Sequence, residues 1–229
     1  MFNFSVLLPD MQSILTAVPR TLLMAVSVFV CSTLLGGLFA YCEHRRFPVL
    51  RQLIVAYKVF FKGVPMVIAI FLAYFGLPRL LSWVIGLFGG DPFAYTMPNW
   101  LILIIALVGC LTAFQAEVIR GALQSFDKGQ SDAALSLGYD GRQMFRRIIL
   151  PQVAVAAIPD LANSCMVIMK ALSLGFAITV VDIFAQAQLT AALNYYFLEA
   201  FLCAVVVYMV ISYAVTRAAD MLERRLRVW

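Results

Sequence analysis

Residues 21–42 read TLLMAVSVFVCSTLLGGLFAYC, an apolar run without one charged side chain. At 1.5 Å per residue such a run crosses about 30 Å of hydrocarbon, and Gly36 and Gly37 give it a face for close helix packing. The rest of the chain has the same character: 63% of its 229 residues are hydrophobic and 13% charged. Soluble domains are about 45–50% apolar and about 25% charged, so this composition predicts an all-α integral membrane protein and excludes both a soluble domain and a disordered chain. Cys31, Cys110, Cys165 and Cys203 lie in apolar runs, where a thiol acts as a small hydrophobe, and no redox role follows. The net charge of +5 is read as the Lys and Arg that cytoplasmic loops retain, with no nucleic-acid partner. No basic segment precedes Arg20, so the first span is expected to stay as an anchor rather than be removed as a secretory signal.

Working outward, a second apolar run covers 53–77, with Lys58 and Lys62 expected to snorkel and Pro65 to kink or break the helix. Residues 80–89 are apolar but short and run into Gly89-Gly90-Asp91-Pro92, which reads as an interfacial or re-entrant piece, with Trp83 suited to the interface. Further spans are expected at 100–116, ending at Glu117 and Arg120, at 153–181 and at 195–216. Residues 1–229 then form one transmembrane domain of five helices. Segments 43–62, 117–151 and 217–229 hold all of the 17 Lys and Arg residues except Arg20, Arg79 and Lys170. That asymmetry places the carboxyl terminus in the cytoplasm and the amino terminus outside, with the weakly amphipathic stretch 11–18.

The cytoplasmic loop at 126–151 is patterned. Ser131 is placed to cap a short helix, Asp132 to meet its dipole, Ala133, Ala134 and Leu137 to share a face, and Gly138 to stop it. Asp140 and Gln143 resemble a capping box opening a second helix, which carries Met144, Phe145, Ile148 and Ile149 on one stripe and Arg142, Arg146 and Arg147 on another, and which Pro151 ends. On pattern alone, this is equally a basic segment lying on membrane lipid. In the fourth span Asp160, Asn163, Ser164 and Lys170 fall on one broad helical face, which suits either a wet substrate path or polar contacts between helices.

No catalytic or metal constellation accompanies these features. His44 is the lone histidine, beside Arg45 and Arg46, and no His-Glu-x-x-His or Gly-x-Ser-x-Gly is present. No phosphate-cradling Gly-x-x-x-x-Gly-Lys-Ser/Thr loop occurs either. Isolated polar groups within spans are also a feature of ion-coupled carriers and channels, and that reading stays open on these residues.

The loop spacing Asp132-Ala133-Ala134, three residues, Gly138, nine residues, then Ile148-x-Leu150-Pro151 resembles the signature of permease subunits of bacterial ATP-binding cassette importers, with Asp132 where Glu is usual. Phe61-Lys62-Gly63-Val64-Pro65 is similar to a segment of the polar amino acid uptake branch. So are Ala116-Glu117-Val118-Ile119-Arg120-Gly121, Lys128-Gly129-Gln130, Leu161-Ala162-Asn163 and Lys170. The resemblance implies an inner-membrane permease that imports amino acids or close relatives. Its loop would couple to a separate ATPase, and no cofactor would reside on this chain. ATP and Mg would be held by two ATP-binding cassette subunits; a second permease, identical or related, and an extracytoplasmic substrate-binding protein would complete the assembly. Ser164 stands where that branch often has Glu, and Ala171-Leu172 replaces a more polar pair, so the carried side chain stays open.

Overall fold

The computed structural model describes residues 2–44, 48–90 and 96–226. The readings at Arg45, Arg46, Asp91 and Pro92, and those at the side chains of His44 and Lys128, lie outside the described residues. Among the described residues the chain is helical throughout, without a strand. The helices are α1 (Leu7–Leu15), α2 (Val18–His44), α3 (Pro48–Gly63), α4 (Met66–Leu87) and α5 (Asn99–Gln124) in the first half. They are followed by α6 (Lys128–Ser136), α7 (Gly141–Met144), α8 (Leu150–Leu172), α9 (Ile183–Asn194) and α10 (Phe197–Leu226). Five helical stretches are long and apolar enough to cross a membrane: Val18–Glu43, Met66–Leu87, Asn99–Gln124, Gly141–Ile178 and Phe197–Leu226.

Helix α5 is the axis of the fold. It packs against α2, α3, α4 and α8, and Leu103, Leu107 and Leu111 along it join the main buried cluster. Gly36 shows how near α2 comes: a Cβ there would lie 2.8 Å from the Ala116 nitrogen and from the Gln115 Cβ. No side chain larger than hydrogen fits that approach without moving a helix. Helices α1, α9 and α10 form a second packed group, which α8 joins through α10.

The expected span 53–77 is divided. Pro65 has no N–H and pushes the residue before it out of the helical region, so α3 closes with the Val64 N–H on Phe60 O at 3.0 Å. Helix α4 opens afresh, Ile68 N donating to Pro65 O at 2.9 Å. The two pieces climb α5 in sequence. Lys58 of α3 meets Glu117 near the Gln124 end, Tyr57 donates to the Gly109 carbonyl further along, and Ile70 of α4 joins the cluster holding Leu103. The stretch 80–89 is therefore not a separate interfacial piece: as far as Leu87 it is the second half of α4, which carries Pro78 within it.

The other spans also differ in their ends. Helix α5 runs past Glu117 to Gln124 and α10 reaches Leu226. The fourth span stops sooner than 181, because α8 tightens into a 3₁₀ segment, Ser173–Ile178, closed by Thr179 at φ 62°. Asn99 pins that turn, its amide donating to Ile178 O at 2.9 Å and to Thr179 Oγ1 at 2.8 Å. Pro151 does not end the second loop helix. A π-turn, Phe145–Ile149, with the Leu150 N–H on Phe145 O, precedes it and joins α7 to α8. Proline at the start of α8 sits where its missing N–H and its ring are accommodated by the widened turn.

Candidate functional site

Three polar constellations interrupt this apolar scaffold. The first is the loop between α5 and α8. Its first helix begins earlier than expected: Asp127, not Ser131, is the cap, its carboxylate accepting from Gly129 N at 2.8 Å. Asp132 consequently lies within α6 rather than at its dipole end. Ala133, Ala134 and Leu137 do not share an environment, since Ala134 is buried and the other two are exposed, Leu137 by 78%. Gly138 has φ +80°, the left-handed conformation that a β-carbon penalises, and Tyr139 N closes the turn on Ala134 O at 3.1 Å. The capping box at Asp140 and Gln143 is present. Gln152 donates to Gln130 at 2.7 Å and so ties α8 to α6. Leu135, Leu137 and Leu150 thus stand exposed beside the exposed Arg142, Arg146 and Arg147, with Ile148 half-buried and Pro151 exposed.

The second constellation is ionic and lies where α2, α3 and α5 meet. The Lys58 ammonium reaches Glu43 Oε1 at 2.6 Å and Glu117 Oε1 at 2.8 Å. Lys62 stands 3.7 Å from the same Glu117 oxygen, and Arg120 pairs with its other oxygen through Nε at 3.0 Å and through Nη2. Lys58 is only 8% exposed, so it does not snorkel to an interface; it is neutralised in place. Three cross-links between helices and one pair within α5 converge because Lys58 and Lys62 are one turn apart on α3, as Glu117 and Arg120 are on α5. Gly63 and Pro65 contribute the helix break that lets α3 lean on α5. A cavity of about 1170 Å³ opens beside this cluster and is shared with α6 and the π-turn.

The third constellation is the stripe on α8. Asp160, Asn163 and Lys170 are exposed, along with Ala156 and Val167, and recur at the spacing of one helical face. Ser164 departs from the others: it is half-buried and its hydroxyl donates to Asp160 O at 2.9 Å within its own helix. Among the described residues neither Asp160 nor Lys170 forms an ion pair. Ten residues apart, they stand about 15 Å from each other along the helix. Charged groups on the outside of an apolar helix need a polar or proteinaceous cover.

At the opposite end of the bundle α1 is fastened by hydrogen bonds. Asn194 donates to Asp10 at 2.9 Å, Asn3 N to Glu199 at 2.8 Å, and Ser13 meets Thr190 at 2.8 Å. No group of three His, Cys, Asp or Glu placed to hold a metal occurs among the described residues.

Sequence reasoning missed Glu43, and placed Lys58 without its partners. The signal was the presence of two lysines in an apolar segment, which calls for carboxylates in other helices without saying which.

Residues 11–228 match the family model described as binding-protein-dependent transport system inner membrane component. The chain is 34% identical to the probable amino-acid permease protein YxeN of Bacillus subtilis (strain 168), over 93% of this chain and 90% of that one. It is 33% identical to the probable amino-acid ABC transporter permease protein PatM of Vibrio harveyi, over 98% and 96%. A solved structure titled as an amino acid ABC transporter with histidines has the same fold, with a TM-score of 0.81 at 22% identity over 98% of this chain and 99% of that one.

Proposed function

The chain belongs to the family of binding-protein-dependent transport system inner membrane components, and from that premise we propose how it works. It is the permease subunit of an ATP-binding cassette importer for amino acids or related compounds, a multi-pass protein of the bacterial inner membrane. The observation that carries this reading is the family match over nearly the whole chain, and it favours an importer over an ion-coupled carrier or channel. An ATPase and a substrate-binding protein are the partners such a subunit works with. We read the assembly as two cassette subunits holding ATP and Mg, this chain, a second permease that is identical or related, and the external binding protein.

The basic loops set the orientation, with the amino terminus outside and the carboxyl terminus in the cytoplasm. Cysteine labelling is expected to reach position 193 from outside and position 225 only from inside; the reverse pattern would invert the reading. The loop from Asp132 to Pro151 couples to the ATPase. What supports that role is a rigid presentation: capped helices, a glycine turn and a tie through Gln130 to α8, so a push on the exposed leucines moves α8 itself.

The stripe of Asp160, Asn163 and Lys170 lines the substrate path, with Ser164 acting through the α8 backbone at Asp160. An amino acid needs an acceptor for its ammonium and a donor for its carboxylate, and Asp160 and Lys170 offer these at different heights. Asn163→Leu is expected to lower uptake per assembled complex by roughly tenfold or more, the loss of one charge-assisted hydrogen bond. Unchanged uptake per complex with a reduced yield of complex would make Asn163 a packing residue instead.

A further inference from the structure

We infer that α1 is an interfacial helix seated in the lipid of the outer leaflet, with Leu8 and Leu15 in the hydrocarbon and Gln12 and Thr16 at the headgroups. The choice of leaflet rests on the orientation proposed above; the seat in lipid does not. Three sectors run round the helix. At about 100° per residue, Leu15 lies within about 20° of Leu8, Gln12 and Thr16 lie about 40° and 80° round to one side, and Asp10 and Ile14 lie behind at about 200° and 240°. Burial divides them in the same way. Asp10 and Ile14 are buried against the bundle, where Asn194 donates to Asp10 at 2.9 Å. Leu8 is 68% exposed and Leu15 48%, with Phe4 equally outward in the 3₁₀ turn ahead of them. Gln12 and Thr16 are exposed as well.

Charge and depth identify the cover as lipid. Residues 2–19 contain a single charged side chain, Asp10, and it is 2% exposed. The outward face of α1 therefore offers no ion to water and none to steer a protein partner. Its depth is set by α10. Asn3 N donates to Glu199 at 2.8 Å and Cys203 Sγ to Leu7 O at 3.5 Å. Glu199 and Cys203 stand in the first two turns of that span, Cys203 about 9 Å along it. Interfacial helices sink about 5–10 Å into the boundary between headgroups and chains, so α1 lies where such a helix sits. Leu198 and Leu202, on the same two turns, are also exposed, and the hydrocarbon that covers them reaches α1.

The seat has a mechanical consequence. Thr16 and Ala17 alone separate α1 from α2, which packs on α5. Ser13, at 2.8 Å from Thr190, and the bonds from Asn194 and Cys203 tie the same helix to α9 and α10. Helix α1 thus straps the first span to the last, and its lipid edge holds both at one level in the leaflet.

The test uses the assembled transporter in lipid nanodiscs with its binding protein added, and the photo-cross-linking residue p-benzoylphenylalanine in place of Leu8 or Leu15. Irradiation should give adducts of phospholipid mass on this chain from both positions. The yield should be the same in zwitterionic bilayers and in bilayers containing anionic lipid, because α1 presents no cation. Adducts to a second permease or to the binding protein, no adduct at all, or a yield that requires anionic lipid would overturn the inference. Leu8→Trp and Gln12→Trp give a second reading, which decides if the cross-linking chains fail to assemble. Against the unsubstituted assembly, the added emission from position 8 should be quenched more by bromine on lipid chains than by aqueous acrylamide, and from position 12 the order should reverse. The same order at both positions would overturn the placement of the two edges. Labelling at positions 193 and 225 decides the leaflet and ATP-driven uptake tests the importer reading, and neither result alters whether lipid touches Leu8.

Discussion

At the end of the bundle that carries the loop between α5 and α8, Glu43 and Glu117 are held by Lys58, Lys62 and Arg120. At the other end, Asp10 and Glu199 are more deeply buried and are held by the amide of Asn194 and the backbone of Asn3, with no cation among the described residues. A buried carboxylate among cations must stay ionised for the cluster to hold, whereas one held by neutral donors keeps its place when protonated. The loop end is thus fixed by charge and the α1 end by hydrogen bonds that tolerate a proton. This matches the proposed work of each: the loop end transmits force from an ATPase, and the α1 end meets the external medium.

The strongest way to break that contrast is Lys58→Met. It strips the shared cation from the largely buried Glu43 and the part-exposed Glu117 and should cost about 3 kcal/mol, read as a large fall in the thermal midpoint of the purified complex. Adding Glu43→Gln should recover part of the loss, because the two sites are in contact; full additivity would show that the cluster is not one unit.

A smaller effect on stability, but a sharp one on coupling, is expected for Gly138→Val. A β-branched residue at φ +80° costs of the order of 1–3 kcal/mol locally, so the turn relaxes and α6 shifts against α8. ATP hydrolysis should then continue with little transport, or the cassette subunits should fail to co-purify. Normal transport by an intact complex would reduce the loop to a membrane-surface segment.

The smallest effect sharpens the α1 end. Burial raises the Asp10 pKa above its ordinary value, the Asn194 hydrogen bond opposes the rise and the nearby Glu199 charge adds to it. The folded chain therefore holds this proton more tightly than the unfolded one. Its stabilisation is full below the ordinary carboxylate range and is lost as pH rises through the raised pKa. Protection of α1 from proteolysis should increase on mild acidification, and Asp10→Asn should raise protection at neutral pH and flatten that dependence. A variant with the same pH profile would place the titrating group elsewhere.

These contrasts also mark what the sequence could convey. Local chemistry was legible: the stop at Gly138, the capping box of Asp140 with Gln143 and the break at Pro65 each depend on residues within a few positions of one another. The α6 cap was misplaced because Asp127 and Ser131 are both competent, and only the carboxylate meets a free N–H at the right turn. The second span was misplaced because hydropathy averages across Pro65, and 80–87 looks short only when severed from the rest of α4. Nothing local could reveal the ionic cluster, which joins Lys58 to Glu43 across 15 positions of chain and to Glu117 across 59. The stripe on α8 was visible as periodicity, but the bond of Ser164 back onto its own helix was not, since a serine chooses between its own helix and a neighbour by surroundings alone.

The most direct measurement is uptake by the reconstituted assembly: this chain with its cassette, second permease and binding protein in proteoliposomes, supplied with a panel of labelled amino acids. Accumulation of at least one amino acid should require both ATP on the cassette side and the binding protein on the opposite side, and should stop when either is withheld. Accumulation driven by an ion gradient with ATP absent would contradict the importer reading outright.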